Sequence, residues 1–228
     1  MEITEVINFH GRLIEIHSTV TNSMILLAGL TIFLIIAGKK TASADPLAKP
    51  AGIVLFMVIL VDSIEKLVVE TMGEKNRGFA PFAGMLVFYL IPANTMALIG
   101  LKPPTSDVSV TMALALFTIG MMIYFGIKAQ GLGGTLRSMF LGEFPWLLPL
   151  EVISQLSRPI SLSFRLFGNI LSGVIILELI YQALGYFTPL AAPLLHGYFD
   201  LFDGLVQTMI FVMLAMIWTK GVTTPVHE

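Results

Sequence analysis

A stripe of polar side chains runs through an otherwise apolar stretch near the C-terminus. Its members recur every three or four residues, the spacing that places side chains on one face of an α-helix. They are Glu151, Ser154, Arg158, Ser161, Arg165, Asn169 and Ser172. A second stripe with the same spacing consists of His196, Asp200, Asp203 and Gln207. Two facing helices of this kind could relay an ion, because burial and neighbouring groups move carboxylate pKa values toward the working pH.

Arg165 has the most unusual sequence surroundings of these residues. No charged residue lies within four positions of it, and its neighbours include Phe164 and Leu166. An arginine at the centre of a membrane costs roughly 2.5–3.5 kcal/mol on insertion scales, so it is expected to face a partner or a wet cavity. Two interpretations stay open from spacing alone: a functional cation, or a structural ion pair with Asp200 or Asp203.

The other charged members of the stripes also have structural alternatives. Arg158 could extend its charge toward the inner membrane interface. Glu151 could be an acid in the first helical turn that favours the helix dipole. Asp200 and Asp203 would suit the start of a helix in the same way, and His196 could lie at the interface.

Three further residues near Arg165 are ambiguous. Glu178 lies off the stripe, and it stays open between a structural role and the ion pathway. Gly168 and Gly173 flank the middle of the stripe and would let another helix approach closely. Ordinary packing among the chain's own helices is the alternative for both glycines.

The composition places the chain among membrane proteins. Of its 228 residues, 56% are hydrophobic and only 12% are charged, with a mean hydropathy of +0.87. Soluble domains carry about a quarter charged residues. A net charge of -2 gives no strong attraction to nucleic acid. There is no cysteine, and the four histidines do not have metal-ligand spacing, so neither a disulfide nor a metal or other cofactor is expected.

The apolar runs predict an all-α polytopic membrane protein with about five membrane helices and one interfacial helix. Residues 1–18 lack the positive start of a secretory signal, so the first apolar run is interpreted as a retained membrane helix. The predicted order is an outer N-terminal segment at 1–18, a first span at 19–38, an interfacial helix at 46–73, a helical hairpin at 79–127 and a long tilted hairpin at 145–220. Residues 128–143 are predicted to form a polar, glycine-rich loop.

Two local predictions concern the helices themselves. Ser106 or Asp107 is expected to cap the helix that begins at Val108. Helix-compatible sequence from Leu150 to Gly185 would measure about 54 Å, far more than a bilayer requires. We therefore expect a steeply tilted helix with a bend at its internal proline.

The basic residues predict the orientation of the chain. If the N-terminus is outside, the inner segments hold nine of them and the outer segments hold two. The inner set is Lys39, Lys40, Lys49, Lys66, Lys75, Arg77, Lys128, Arg137 and Lys220, and the outer set is Arg12 and Lys102. This bias predicts a cytoplasmic C-terminus.

Three motifs in the sequence resemble those of the subunit a family of F-type ATP synthases. The first is Ser157-Arg-Pro-Ile-Ser-Leu-Ser-Phe-Arg165-Leu-Phe-Gly-Asn169-Ile, which is highly specific. The second is Gln207-Thr-Met-Ile-Phe211, and the third is Pro104-Thr-Ser-Asp107-Val-Ser-Val-Thr111. The resemblance runs in order from about residue 45 to the end of the chain.

The resemblance implies a role for each matching residue. Arg165 matches the arginine that faces the carboxylates of the rotating c ring, favours their ionised form and blocks leakage between two offset half-channels. Asn169 and Gln207 match polar positions near that arginine, and Glu151 matches an acid of the inner half-channel. Asp200 falls in the outer half-channel.

One position departs from the family pattern. Val174 stands where the family often has an acid or a histidine, so the outer route would depend on Asp200 and Asp203. Further candidates for ion translocation are Glu178, Ser161, Ser172 and His196.

The resemblance thus implies a stator ion-channel subunit that couples the flow of protons or sodium ions to rotation and ATP synthesis. The chain itself would carry no catalytic chemistry, since it has no phosphate-binding glycine loop. The implied partners are the c-subunit ring, the b-subunit peripheral stalk, other ATP synthase subunits and membrane lipid. The implied location is a bacterial plasma membrane. Rival hypotheses are a stand-alone ion-coupled secondary transporter and a non-conducting membrane scaffold.

Overall fold

The computed structural model describes residues 4–9, 12–44, 49–140 and 148–224. Its elements in chain order are β1 (Thr4–Phe9), β2 (Arg12–His17), α1 (Ser18–Ala42), α2 (Gly52–Met72), α3 (Ala80–Thr95), α4 (Val108–Phe140), α5 (Leu148–Leu184), α6 (Thr188–His196) and α7 (Asp203–Thr223). Short 3-10 turns connect several of these helices, and a π-helical segment, Gly197–Phe202, joins α6 to α7. The prediction of a helical polytopic membrane protein is confirmed. The small antiparallel β1–β2 hairpin is an addition that the sequence did not predict.

Four helical stretches within the described residues are long and apolar enough to cross a membrane. They are Thr19–Ala42, Glu74–Ile99, Val108–Phe140 and the long stretch Leu148–Thr223 that contains α5 to α7. Helix α2 is not among them, which agrees with its predicted interfacial character, although its depth in a membrane stays a prediction. Of the predicted segments, residues 1–3, 10–11, 46–48 and 145–147 lie outside the described residues.

The predicted loop at 128–143 is wrong for the part that the structure describes. Helix α4 continues beyond residue 127 to Phe140 and changes direction at Gly131, where the backbone has a φ of 74°. Glycine adopts this conformation without steric cost, so the chain turns sharply and resumes a helix. The second part packs back on the first, since Gln130 donates a 2.6 Å hydrogen bond to Ser138. Residues 141–143 of the predicted loop lie outside the described residues.

Of the two residues that were predicted to cap helix α4, Ser106 and Asp107, the structure shows Asp107 in that role. Its carboxylate accepts a 2.8 Å hydrogen bond from the backbone N–H of Ser109, which satisfies a donor left free at the helix start. The other carboxylate oxygen accepts a 3.0 Å hydrogen bond from Thr19, a buried residue of α1. The cap therefore also fastens the first helix to the rest of the molecule.

The hydrophobic core lies where α2, α3, α4, α5 and α7 meet. It is made of fully buried side chains from each of these helices, among them Val68, Leu86, Leu90, Ala115, Leu162, Leu166, Phe211 and Met216. A smaller cluster of Met122, Met139 and Val222 joins both parts of α4 to the end of α7. This core fixes α5 and α7 beside each other, and it thereby positions the two polar stripes.

Helix α5 is the element that carries the first stripe. Its 37 residues continue through Pro159 without an interruption in the helix assignment. At 1.5 Å per residue it is about 55 Å long, compared with a hydrocarbon core of about 30 Å, so its length fits a strongly tilted placement.

The return of α4 generates a prediction about stability. A Cβ on Gly126 would lie 2.8 Å from Thr135 Cγ2 and 3.1 Å from its hydroxyl, and Thr135 is buried with its hydroxyl bonded to Gly131. Because this side chain cannot rotate away, Gly126→Ala is expected to destabilise the protein by about 1–3 kcal/mol. The midpoint of thermal unfolding of the purified protein measures the change.

Gly120→Ala is the matched control, since Gly120 lies in the same helix and its Cβ would meet nothing within 4 Å. This change should leave stability equal or raise it by about 0.5–1 kcal/mol through helix propensity. Equal midpoints for the two variants would contradict the described packing of the kink.

Candidate functional site

Arg165 lies near the middle of α5 with an exposed side chain. The residues one position to its C-terminal side and three to its N-terminal side, Leu166 and Leu162, are buried in the core. In the part of the chain that the structure describes, Arg165 forms no ion pair and no side-chain hydrogen bond. The structural ion pair with Asp200 or Asp203 is therefore absent, and the cation is available to a group from outside this chain.

The N-terminal part of the α5 stripe forms a first polar cluster. Arg158 lies 3.9 Å from the Glu151 carboxylate, and its guanidinium stacks 5.8 Å from the ring centre of Trp218 on α7. Gln155 donates a 3.2 Å hydrogen bond to Glu151 and a 2.8 Å hydrogen bond to the carbonyl of Met139. Glu151 is thus more than a first-turn acid, because a buried glutamine and an arginine orient its carboxylate.

A second polar cluster lies beyond Arg165, between α5 and the start of α7. Asn169 donates a 2.7 Å hydrogen bond to the Asp203 carboxylate. Asp200 is buried and accepts a 2.5 Å hydrogen bond from His196 Nδ1, and the other ring nitrogen of His196 lies 2.7 Å from the hydroxyl of Tyr181. The structure therefore brings both predicted stripes together at this point. Carboxylate, imidazole and phenol in one chain of hydrogen bonds form an arrangement that can pass a proton.

Gln207 occupies the end of the second stripe and is almost completely buried, with 4% of its surface exposed. Its Nε2 atom has no hydrogen-bond partner among the described residues. Buried amide groups are normally satisfied, so an unpaired donor in the interior is a feature that functional sites often retain. The side chain sits one turn beyond Asp203 on the same helix face.

A buried hydrogen-bond network behind the second cluster was not predicted. The Asn94 amide on α3 donates to the carbonyl of Gly204 at 3.3 Å and to the Thr208 hydroxyl at 3.2 Å. Its carbonyl oxygen accepts a 2.9 Å hydrogen bond from Thr105. A single asparagine inside the apolar run of α3 was the available sequence signal. Its partners are 11, 110 and 114 residues away, so spacing could not reveal them.

Several predicted site residues are not joined to either cluster. Ser161 and Glu178 are exposed on α5, and Ser172 bonds to the carbonyl of Asn169 in its own helix. Val174, the residue that departs from the family pattern, is also exposed. Their roles in translocation stay predictions.

The two glycines of the stripe have different environments. A Cβ on Gly173 would contact Phe199 of the same chain at 3.7 Å, so ordinary packing explains that position. A Cβ on Gly168 would meet nothing within 4 Å. Gly168 therefore leaves a recess on the surface of α5, less than one turn from Arg165.

An unpartnered apolar face of α5 adjoins the arginine. Its members follow helical spacing and are all exposed: Ile153, Ile160, Phe164, Leu171, Ile175 and Leu179. Several members of this face come one position before a residue of the polar stripe, as Phe164 does before Arg165. The face and the stripe are therefore adjacent on the helix surface, and Arg165 lies at the border between them. An exposed apolar face of this length in a membrane helix is available to lipid or to another helix.

The described residues contain no group of three or more histidine, cysteine, aspartate or glutamate side chains that could hold a metal ion.

Comparison with known proteins gives a consistent result over most of the chain. The family model described as ATP synthase A chain matches residues 20–220. ATP synthase subunit a of Solidesulfovibrio magneticus is 35% identical over 219 residues, covering 92% of this chain and 88% of that protein. The protein of the same name from Trichlorobacter lovleyi is 36% identical over 183 residues, covering 78% and 77%. That from Moorella thermoacetica is 31% identical over 211 residues, covering 92% of both chains.

The Asn94 network generates a prediction about the integrity of the site. Asn94→Leu keeps a similar volume but removes three hydrogen bonds, and it takes away the acceptor of the buried Thr105 hydroxyl at a cost of about 1–3 kcal/mol. We expect a marked decrease in the thermal unfolding midpoint of the purified protein.

Thr95→Val is the control, because the Thr95 hydroxyl bonds only to carbonyls of its own helix. It is expected to have a small effect. A midpoint for Asn94→Leu as high as that of the control would show that the network does not hold α3 against α7.

Proposed function

The chain belongs to the ATP synthase A chain family, and from this premise we propose that it is the ion-conducting stator subunit of the Fo motor. As a member of this family it is a non-catalytic subunit of the bacterial ATP synthase, works with other subunits of that complex and resides in the membrane. The finer proposal is that it provides two offset half-channels. These carry protons or sodium ions to and from the carboxylates of a c ring.

One observation carries the proposal: an arginine without a partner in the described chain lies between two separate polar clusters. Along α5, Glu151 of the first cluster and Arg165 are about 21 Å apart, and Asn169 of the second cluster is about 6 Å further on. Each cluster offers at least one carboxylate to an ion, whereas Arg165 offers only a positive charge. A cation would therefore be repelled at Arg165 and could not pass directly from one cluster to the other.

The fixed charge of Arg165 also explains how an ion could be made to leave the rotor. A carboxylate that approaches an arginine is favoured in its ionised form, because an opposite charge lowers its pKa. A rotor carboxylate that carries a proton or a sodium ion would release it on reaching Arg165. It would then take up a new ion after moving past. Movement of one charge through 100 mV supplies about 2.3 kcal/mol for this cycle.

The two clusters would serve as the ends of the two half-channels. In the first, Gln155 and Arg158 hold the Glu151 carboxylate in place. In the second, the hydrogen-bonded series Tyr181, His196 and Asp200 offers groups that can accept and donate a proton. Asn169 and Asp203 then lead toward Arg165.

The apolar face of α5 supports contact with a rotor. A rotating ring must slide past the stator without fixed polar bonds, and aliphatic side chains such as Ile160, Leu171 and Ile175 allow this. The recess at Gly168 would let a rotor helix come close to Arg165.

The remaining parts of the proposal concern placement and partners. The bias of basic residues favours an outer N-terminus and a cytoplasmic C-terminus, so the Glu151 cluster would open to the cytoplasm. The c ring would bind along α5, and the b-subunit peripheral stalk would hold the chain against rotation. Helix α2 would lie at the membrane interface, and the 79–127 and 145–220 hairpins would span the membrane.

The first functional prediction concerns Arg165→Ala. We expect ATP-driven ion pumping in membrane vesicles to be lost, because rotor carboxylates would no longer be driven to release their ions. The complex should remain assembled, because Arg165 has no bond to the described residues that its removal could break. Pumping is measured by a pH-sensitive or sodium-sensitive dye, and assembly by the subunit content of the purified complex.

Phe164→Ala is the matched control, an exposed neighbour on the same helix. It should retain most of the pumping. Normal pumping by an assembled Arg165→Ala complex would sink the proposal, and loss of assembly in that variant would favour the scaffold hypothesis instead.

A second functional prediction concerns the sidedness of the two clusters. Because the chain has no cysteine, single substitutions Ser154→Cys and Ser172→Cys each introduce one thiol. A membrane-impermeant thiol reagent should modify the first from the cytoplasmic side and the second from the opposite side. Labelling is compared in inside-out and right-side-out vesicles, and modification of both thiols from one side would exclude two separate half-channels.

A further inference from the structure

A large apolar groove lies between α1, α2 and α3, away from the polar stripes. Its volume is about 930 Å³, which lies in the range of sites that enclose a small molecule. The lining is aliphatic and aromatic, with Leu27, Leu30 and Leu34 from α1, Ile64 from α2, and Met85 and Phe88 from α3. Helix α1 is otherwise barely covered by this chain, since only 6% of its most apolar stretch is buried. The groove is therefore the main site at which another molecule could pack between α1 and the body of the protein.

The length of the groove distinguishes between possible occupants. At one end it reaches Arg77 and Glu65, and at the other it reaches Tyr89, whose hydroxyl lies 3.1 Å from that of Ser23 on α1. Tyr89 follows Arg77 by twelve positions, first in a 3-10 turn and then in α3, which corresponds to roughly 18–20 Å. One leaflet of the hydrocarbon core is about 15 Å thick, whereas a membrane-spanning helix needs the full 30 Å. The groove thus fits the acyl chains of a lipid from one leaflet better than a second transmembrane helix.

A polar pocket of about 400 Å³ adjoins the charged end of the groove and shares Glu65 and Arg77 with it. Its charged lining consists of Asp62, Glu65, Lys66, Glu70, Glu74 and Arg77. Four acids and two bases give this lining a net charge of -2. The groove and the pocket together have the form of an amphiphile, with an apolar body and a charged head.

The charges of the pocket define the headgroup that it would accept. Arg77 bonds to Glu65 through Nε and to Glu74 through Nη1, at 3.1 Å for the latter. A guanidinium has five N–H donors, so three remain for a phosphate. The hydrogen bond from Arg77 lowers the pKa of Glu65, which keeps that carboxylate charged at neutral pH. The surplus of carboxylates attracts a cation placed close to that phosphate.

We propose that the groove and its polar pocket bind one phospholipid with an ethanolamine headgroup. The acyl chains fill the groove between α1 and α3, the phosphate contacts Arg77, and the ammonium group lies among the carboxylates of Asp62, Glu70 and Glu74. A primary ammonium donates three hydrogen bonds to these carboxylates, as a lysine does, whereas a choline headgroup has no N–H to donate. A headgroup with net negative charge, such as glycerol phosphate, is repelled by the net charge of the pocket.

Lipid retention by the purified ATP synthase complex tests this site. The complex is equilibrated with equal amounts of phosphatidylethanolamine, phosphatidylcholine and phosphatidylglycerol, exchanged into lipid-free detergent and analysed by mass spectrometry. We expect the retained lipid to contain roughly ten times as much phosphatidylethanolamine as either of the other two lipids. This preference should depend on the presence of this chain in the complex. Equal retention of the three lipids by the unchanged complex would overturn the proposal.

A pair of glycine variants assigns the bound lipid to the groove. Gly84→Leu places a large side chain in the groove, where a Cβ meets only Ile64 at 3.7 Å, so the chain can still fold. Gly120→Leu makes the same change at an exposed site on α4 outside the groove. The first variant should lose the preferentially retained lipid, and the second should keep it. Equal retention by both variants would show that the lipid binds elsewhere.

Two further measurements address the headgroup and the occupant. The double variant Asp62→Lys and Glu70→Lys reverses two charges of exposed pocket residues and should move the preference toward phosphatidylglycerol. An unchanged preference would exclude headgroup recognition by this pocket. A photoreactive amino acid in place of Met85 should attach to lipid in native membranes. Attachment to a polypeptide alone would show that a partner helix occupies the groove, and it would overturn the proposal.

Discussion

The cost of holding a positive charge in hydrocarbon is the constraint on which this structure depends. Arg165 has no counter-ion among the described residues, although Asp200 and Asp203 follow within the same hairpin. Those two carboxylates bond instead to His196 and Asn169. The arginine is thus stable only when water or a group of another subunit compensates its charge. The exposed apolar face beside Arg165 is the surface that is open to such a group.

Two carboxylates of the hairpin region, those of Glu151 and Asp203, are held by partners within the chain. Glu151 is oriented by Gln155 and Arg158, and Asp203 is oriented by Asn169. Interactions of this type fix the position of a carboxylate. The protein therefore separates its charges by rigid packing around Arg165. The core residues between α4, α5 and α7 supply that rigidity.

The features that could be predicted from the sequence were those in which a residue type recurs at a regular spacing. Polar residues spaced by three and four defined one stripe on α5 and a second that runs from the end of α6 into α7, and the two stripes do meet at Asn169 and Asp203. The Asn94 network and the role of Gln155 have no period, because each residue is a single polar group whose partners lie on other helices. The continuation of α4 past Gly131 was also missed, since glycine-rich polar sequence is more typical of a loop than of a kinked helix.

The long separation between Asn94 and its partners has a consequence for how the protein is made. Gly204 and Thr208 leave the ribosome 110 and 114 residues after Asn94, close to the end of the chain. Until then the helices already in the membrane contain one polar stripe without the other, and the second cluster cannot form. A product that is truncated before Gly204 therefore lacks both hydrogen bonds that join α3 to the start of α7.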